Sequence, residues 1–116
     1  MHRRGEIILI PIPFSDLTSI KKRPVLVLSS NRYNEKTEDL IVAAVTSNNC
    51  SGADTVKITQ SDFVEGNLPH ESWIRADKLY SLSQKIALKR MGMIKDEVLA
   101  SVIKKILNIL DYHEGS

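Results

Sequence analysis

Residues Lys95–Leu110 read KDEVLASVIKKILNIL and contain the clearest periodic pattern in the chain. Apolar residues recur there at intervals of three and four, which places them on one stripe of an α-helix. The stripe consists of Val98, Leu99, Val102, Ile103, Ile106, Ile109 and Leu110. Asp96 and Glu97 lie in the first turn, where acidic side chains interact favourably with the helix dipole. A helix of this kind must cover another element, so the pattern predicts a sheet beneath it.

Short apolar runs upstream of this helix predict the strands of that sheet. The run at Glu6–Phe14 is typical of a strand buried on both faces, and its two prolines require an edge or a bulge. Further strands are predicted at Pro24–Ser30, Leu40–Ser47, Thr55–Thr59 and Ser72–Lys78. Several short strands followed by one amphipathic helix indicate an α+β protein with a curled, barrel-like sheet.

The segments between these runs are predicted mostly as loops. Residues 15–23 and 31–39 are polar and have no periodicity, and residues 80–92 are ambiguous between strand and short helix. Residues 61–67 could hold one helical turn, with Ser61 as its cap and Gly66 as its stop.

Composition limits the classes of function. A chain of 116 residues has room for one hydrophobic core, so residues 1–116 are predicted to form a single domain. The net charge of +2 excludes nucleic-acid binding by bulk charge but allows a local basic patch. Cys50 alone cannot form an internal disulfide, and three histidines offer few metal ligands. With no metal-binding spacing or nucleotide motif in the sequence, we expect neither a metal nor a cofactor.

The N-terminal stretch MHRRGEIILIPIPF combines basic residues with an apolar run. The run is too short for a membrane span, and its prolines and lack of a small-residue cleavage site argue against a signal peptide. The sequence therefore predicts a cytoplasmic protein with no membrane partner.

The stretch WIRADK, Trp73–Lys78, places an arginine and a carboxylate two residues apart in a predicted strand. Because strand side chains alternate, one face should carry Trp73, Arg75 and Asp77, and the other Ile74, Ala76 and Lys78. Such a pair is either a surface ion pair of little energetic value or a paired acid and base.

Polar residues also lie at the ends of other predicted strands. Arg23 opens the second strand, and Thr46 and Ser47 close the third, so neighbouring strands would bring them to one rim with Arg75 and Asp77. Arginine can bind two phosphate oxygens, and a carboxylate can take a proton from a hydroxyl. These groups suffice to cut RNA without a metal, because the ribose 2′-hydroxyl can attack its own phosphate while arginine stabilises the transition state. The products would be a cyclic phosphate and a free 5′-hydroxyl, and DNA would be spared.

Taken together, these segments resemble the MazF/PemK toxins of type II toxin–antitoxin systems, and the Kid-like members in particular. The resemblance covers nearly the whole chain and rests on RGEIILIPIPFSDL, KKRPVLVLS, IVAAVTS, WIRAD and the amphipathic helix that follows MG. It implies a small SH3-like curled β-barrel of the PemK/CcdB type, with added short helices and a C-terminal helix. It also implies a homodimeric endoribonuclease that cleaves single-stranded mRNA at specific sequences and so inhibits translation and growth. A cognate antitoxin would neutralise it, and DNA would be contacted only through the antitoxin complex.

The resemblance also implies roles for four catalytic residues. Arg23 corresponds to the arginine before proline that stabilises the transition state, and Thr46 to the threonine whose hydroxyl positions the substrate. Asp77 corresponds to the base, and Arg75 to the acid or a phosphate anchor.

Five further residues are candidate RNA contacts: Lys21, Lys22, Ser47, His70 and Trp73. Kid-like members have a histidine in the first loop; SDLTSIKK has none, so either lysine would replace it or the role is unfilled. Histidine is the usual side chain for proton transfer, so His70 could act in the reaction, and the Trp73 ring could stack on a base. Each also has a non-functional interpretation. Lys21 and Lys22 could be part of a solubilising basic run, His70 a solvated loop residue, and Trp73 part of the core or of a dimer contact.

Two other functions remain open at this point. One is a non-catalytic toxin of the same fold that binds a protein target such as DNA gyrase, for which the tail NILDYHEGS would matter. The other is a degenerate member that binds RNA or antitoxin without cutting. The set formed by Arg23, Thr46, Arg75 and Asp77 weighs against both.

Overall fold

The computed structural model describes residues 1–13, 20–50, 52 and 54–112. The strands within these residues are β1 Glu6–Pro13, β2 Ile20–Val27, β3 Asp39–Thr46, β4 Thr55–Ile58, β5 Phe63–Gly66, β6 Ser72–Ser83 and β7 Lys89–Ile94. The α-helices are α1 Asn31–Lys36 and α2 Asp96–Ile109, with single 3-10 turns at Gln60–Asp62 and Gln84–Ile86. The strands form one antiparallel, curled sheet in the order β4–β6–β3–β2–β1–β7–β5. This confirms the α+β class.

Helix α2 covers one face of the sheet, which we call the helix face. Val98 and Val102 of α2 are buried against a cluster of strand residues. That cluster includes Ile7, Leu26, Ala43, Val45, Ile58 and Ile74. Leu99, Ile103 and Ile106 are partly buried against the same cluster, so most of the predicted stripe packs as its periodicity predicts. The end of the stripe does not, because Ile109 and Leu110 are exposed. No helix in the described part of the chain is both long and apolar enough to cross a membrane.

A second, smaller cluster lies on the opposite face, which we call the open face. Its buried residues are Ile8, Ile10, Val25, Val27, Leu40 and Val42. Strand β1 contributes to both clusters, with Ile7 on the helix face and Ile8 on the open face. This confirms the prediction that the first strand is buried on both faces.

The two prolines of β1 lie where, among the described residues, that strand has a neighbour on only one side. Strand β7 pairs with β1 only from Glu6 to Leu9, whereas β2 continues to pair as far as Pro13. A proline cannot donate a ladder hydrogen bond, so Pro11 and Pro13 are tolerated at this local edge. The edge predicted from the sequence is confirmed.

Three local predictions differ from the structure. Residues Ile20–Arg23 belong to β2 rather than to a loop, and residues 31–36 form α1. Ser30 caps α1 by accepting a hydrogen bond from the Tyr33 amide at 3.1 Å. A six-residue helix is too short for a periodic signal, which is why the sequence reads as a loop.

The predicted helical turn at residues 61–67 is shorter and is capped differently. The 3-10 turn spans Gln60–Asp62, and its cap is Thr59, whose amide donates to Asp62 Oδ2 at 2.8 Å. Strand β5 follows immediately. The ambiguous residues 80–92 divide between the end of β6, the second 3-10 turn and the start of β7.

Strand β6 breaks its pairing with β3 in the middle. Arg75 pairs with Ala44 and Leu79 pairs with Ala43, so residues 76–78 form a bulge without partners on β3. Ala76 turns into the helix-face core, and its amide donates to the Asp54 carbonyl at 2.9 Å. The predicted alternation is therefore wrong for Lys78, because the bulge returns that side chain to the cavity lined by Arg75.

A buried charge links β1, β5 and β7. The Glu6 carboxylate is almost fully buried and accepts a hydrogen bond from Arg90 Nε at 2.8 Å. Arg90 also donates to Glu65, and this bond is the main reason that the pKa of Arg90 is raised. Because Glu6 is paired, its burial is compensated by charge-assisted hydrogen bonds.

Strands β5 and β7 approach each other through two glycines, Gly66 and Gly92. A Cβ on Gly92 would lie 2.5 Å from the Glu65 carbonyl oxygen, and Gly66 has a φ of +69°. We therefore expect Gly92→Ala to lower the free energy of unfolding by about 1–3 kcal/mol, the cost of overpacking. Urea denaturation measures this change. The matched control is Gly52→Ala, because Gly52 has open space around it. Equal midpoints for the two variants would contradict the close approach.

Candidate active site

The register of three strands brings the predicted catalytic residues together. Ala44 on β3 pairs with Val25 on β2 and with Arg75 on β6. Paired residues in an antiparallel sheet share a face, as do residues two apart in one strand. Arg23 and Thr46 consequently lie on the same face as Arg75, at the same end of the three strands.

These side chains line a cavity of about 260 Å³ on the open face, which we call the arginine cavity. Its polar lining comes from Arg23, Thr46, Asn48, Arg75, Lys78 and Tyr80. Among the described residues, neither Arg23 nor Lys78 has a carboxylate within 4.0 Å. The cavity is therefore positively charged and open to an anion.

Arg75 and Asp77 form a bidentate ion pair. Arg75 Nε lies 3.0 Å from Asp77 Oδ1, and Nη2 lies 2.7 Å from Oδ2. The side chains are 32% and 30% exposed. Their mutual hydrogen bonds are the main cause of two shifts, since the pKa of Asp77 is lowered and that of Arg75 is raised, with desolvation opposing both. At neutral pH the pair therefore consists of a carboxylate and a guanidinium.

The Thr46 hydroxyl is held by the turn that follows β3. Its Oγ1 accepts a hydrogen bond from the Asn48 amide at 3.1 Å. Since a hydroxyl can accept and donate at once, the Thr46 proton is still available to a group in the arginine cavity. This backbone hydrogen bond therefore does not prevent the Thr46 hydroxyl from donating to a ligand in the cavity.

A second cavity of about 250 Å³ lies on the other side of Arg23, and we call it the histidine cavity. Arg23 lines both cavities, whereas Lys22, Ser47 and His70 line only the second. Three of the five predicted RNA contacts are thus gathered beside Arg23. Leu9, Val45 and Met91 give this cavity an apolar floor.

The remaining two predicted RNA contacts lie outside both linings. Trp73 is 9% exposed, and the Lys57 ammonium sits 5.8 Å from the centroid of its ring. Lys21 is exposed on β2, opposite Ile12. A role for either residue in RNA binding stays a prediction. The first-loop segment 14–19, where a histidine is missing, lies outside the described residues.

Three cavity residues escape sequence reasoning. Asn48 follows Thr46 and Ser47 directly in the sequence, and this proximity is a signal from which its place in the cavity could be predicted. Lys78 and Tyr80 reach the arginine cavity only because β6 contains a bulge, and nothing in WIRADK marks that irregularity. In the described part of the chain, no group of three or more acidic, histidine or cysteine side chains is arranged to hold a metal ion.

Comparison with known proteins supplies an independent line of evidence. Residues 3–110 match the family model for the PemK-like, MazF-like toxin of type II toxin–antitoxin systems. No curated protein matches the sequence significantly. The match confirms the family resemblance inferred from the motifs.

Solved structures with low sequence identity share the fold. An endoribonuclease in complex with its cognate antitoxin from a mycobacterial species has 17% identity and a TM-score of 0.80, covering 97% of this chain and 98% of that one. A MazE–MazF complex from Deinococcus radiodurans has 24% identity and a TM-score of 0.77, with coverage of 97% and 98%. The Mycobacterium tuberculosis toxin MazF-mt6 has 17% identity and a TM-score of 0.71, with coverage of 91% and 98%. These likenesses confirm the curled-sheet fold.

The ion pair makes the pKa of Asp77 depend on Arg75, and this dependence can be measured. We expect Arg75→Ala to raise the pKa of Asp77 toward its ordinary value, because the hydrogen bond that lowers it is lost. The carboxyl carbon shift in an NMR titration reports this pKa. Because folding lowers the pKa, the pair contributes stability above the unfolded pKa and loses it as pH falls through the folded value.

The control variant is Lys104→Ala, since Lys104 lies on α2 and lines a groove there. It should leave the titration of Asp77 unchanged. Identical Asp77 titrations in the wild type and Arg75→Ala would contradict the ion pair.

Proposed function

Because the chain belongs to the PemK-like, MazF-like family of toxins of type II toxin–antitoxin systems, we propose that it is a metal-independent endoribonuclease acting on single-stranded RNA. The observation that carries this proposal is the arginine cavity, where Arg23, Thr46 and Arg75 meet with the Arg75–Asp77 pair at the same end of the sheet. The mycobacterial structure of the same fold, described as an endoribonuclease bound to its cognate antitoxin, gives further support.

The charges of the cavity suit a phosphodiester. Three cations, Arg23, Arg75 and Lys78, line it, and Asp77, the one carboxylate paired with them among the described residues, neutralises only Arg75. A scissile phosphate placed in the cavity would accept hydrogen bonds from Arg23 and from the Thr46 hydroxyl. Arg23 is best placed to stabilise the growing negative charge, since no described carboxylate competes for its guanidinium.

Asp77 is the proposed base for the ribose 2′-hydroxyl. A carboxylate has about four lone-pair positions, so Asp77 can accept a further hydrogen bond while Arg75 occupies two. Its lowered pKa keeps it ionised and ready to accept a proton, although it also makes the carboxylate a weaker base. Once the phosphate draws Arg75 toward itself, the carboxylate loses part of that bond and becomes more basic.

Arg75 is the proposed phosphate anchor rather than the acid. The hydrogen bond to Asp77 raises the pKa of Arg75, so its proton is even less available than in free arginine. In the reaction the 2′-oxygen forms a bond to phosphorus and the bond from phosphorus to the 5′-oxygen breaks. The 5′-oxygen leaves with a proton taken from solvent, and the products are a 2′,3′-cyclic phosphate and a 5′-hydroxyl.

The histidine cavity is the proposed site for a neighbouring nucleotide. Lys22 would contact a backbone phosphate, and Ser47 and His70 would contact a base edge or ribose hydroxyl. Arg23 stands between the two cavities, so RNA passing over it would reach both.

Regulation by a partner follows from the same family. The Deinococcus radiodurans structure is a MazE–MazF complex of this fold. We propose that a cognate antitoxin binds this chain across the arginine cavity, where acidic side chains would pair with its unpaired cations. We also propose that the toxin acts as a homodimer and inhibits translation and growth by cutting mRNA.

The proposal predicts discrete cuts in a mixed-sequence RNA incubated with the protein in EDTA. The ends should be 5′-hydroxyls and 2′,3′-cyclic phosphates, and a 2′-deoxy nucleotide at a mapped cut should stop cleavage there. Arg23→Ala should slow cleavage about 100- to 1,000-fold, the usual cost of removing one transition-state donor. Gel mapping and end-group analysis measure both results.

Arg32→Ala is the matched control, because Arg32 is exposed on α1. It should cut at the wild-type rate. Intact RNA with the wild-type protein would refute the nuclease proposal and favour a non-catalytic toxin that binds a protein target.

A further inference from the structure

Tyr80 occupies an unusual position on β6. Its side chain is 46% exposed, yet it lines the arginine cavity beside Arg75. It also lines a groove of about 300 Å³ with Ile10, Ile12 and Leu82, which we call the tyrosine groove. Tyr80 and Ile12 thus form the boundary between a cationic cavity and an apolar groove.

The bulge at residues 76–78 creates this arrangement. Tyr80 pairs with Val42, whose side chain belongs to the open-face cluster, so Tyr80 lies on that face too. Because residues 76–78 have no partners on β3, Lys78 turns to the same cavity. A basic side chain and an aromatic ring therefore follow Arg75 along one path over the sheet.

We propose that Lys78, Tyr80 and Ile12 form a nucleotide subsite next to the scissile phosphate. The Tyr80 ring stacks on a base whose other edge lies over the apolar tyrosine groove, and the Lys78 ammonium contacts the adjoining backbone phosphate. This inference rests on the proposed function and extends it to the substrate nucleotide that the enzyme holds beside the cut.

The chemistry of the patch favours RNA over a second copy of the chain. A symmetric contact through this face would bring Arg23 and Lys78, which have no described carboxylate within 4.0 Å, near the same cations of the partner. Like charges across an interface are costly, whereas a nucleotide supplies both a negative phosphate and a flat ring. Aromatic rings flanked by cations are the usual platform for single-stranded nucleic acid.

The test uses a fluorescent RNA that carries a mapped cut sequence, with a 2′-deoxy nucleotide at the cut so that binding is measured without cleavage. A series of the same RNA has one abasic position at a time on either side of the cut. We expect one abasic position to weaken wild-type binding about 5- to 150-fold, the range for losing one stacked base. Tyr80→Ala should weaken binding of the intact RNA by a similar factor. Removing the base at that same position should then cause no further loss of affinity in the Tyr80→Ala protein.

Two tyrosine variants sharpen the assignment. Tyr80→Phe keeps the ring and should bind like the wild type. Tyr112→Ala removes a more exposed tyrosine beyond α2 and should also bind like the wild type. A Tyr80→Ala protein that shows the wild-type pattern at every abasic position would overturn the subsite.

Salt dependence tests the lysine. Lys78→Gln should reduce the slope of log affinity against log salt by about 0.7, the value for one phosphate contact on a single strand. Lys104→Gln, on α2, is the matched control and should keep the slope. An unchanged slope for Lys78→Gln would remove Lys78 from the subsite.

The outcomes separate this inference from the proposed function. A wild-type protein that neither cuts nor binds RNA refutes both. A wild-type protein that cuts and binds RNA, with Tyr80→Ala and Lys78→Gln unaltered, refutes the subsite alone. Sedimentation velocity tests whether the patch is instead a contact with a second copy of the chain. If Tyr80→Ala changes the oligomeric state but still loses affinity at the same abasic position as the wild type, the patch belongs to the dimer contact and the subsite is refuted.

Discussion

The geometry of the site depends on the pairing of one small residue, Ala44, on both of its sides. Because Ala44 is held opposite Val25 and Arg75, the registers of β2, β3 and β6 are set relative to one another. A shift of one residue in either pairing would turn the shifted strand's side chains to the other face. The two hydrophobic clusters resist such a shift, since it would expose buried side chains of the shifted strand. The strand registers that keep the core buried therefore also place the proposed catalytic groups.

The two arginines of the site differ in what they are free to do. Arg75 shares its guanidinium with Asp77 through two hydrogen bonds, so its charge is largely neutralised before substrate arrives. Arg23 meets no carboxylate within 4.0 Å in the described chain and presents a full charge between two cavities. In the proposed mechanism the two arginines therefore have unequal roles: Arg23 attracts the phosphate and stabilises its charge, while Arg75 anchors the phosphate and sets the basicity of Asp77.

Sequence reasoning succeeds where periodicity and strand order carry the information. The stripe from Val98 to Leu110 predicts α2, and the position of Arg23 and Thr46 at strand ends predicts their approach to Arg75. It fails where the bulge at residues 76–78 changes the register. The partners that leave residues 76–78 unpaired are on β3, far away in sequence, so no local signal assigns Lys78 to the site face. Helix α1 is missed for a different reason, because its six residues owe their order to the Ser30 cap and the buried Asn34 rather than to a pattern.

Trp73 has a practical use in following the structure. It is the single tryptophan of the chain, it pairs directly with Thr46, and a lysine ammonium lies above its ring. Its intrinsic fluorescence therefore originates on β6, two residues before Arg75 of the proposed reaction centre. The protein carries a built-in optical reporter, whose emission follows the integrity of the β3–β6 ladder without any label.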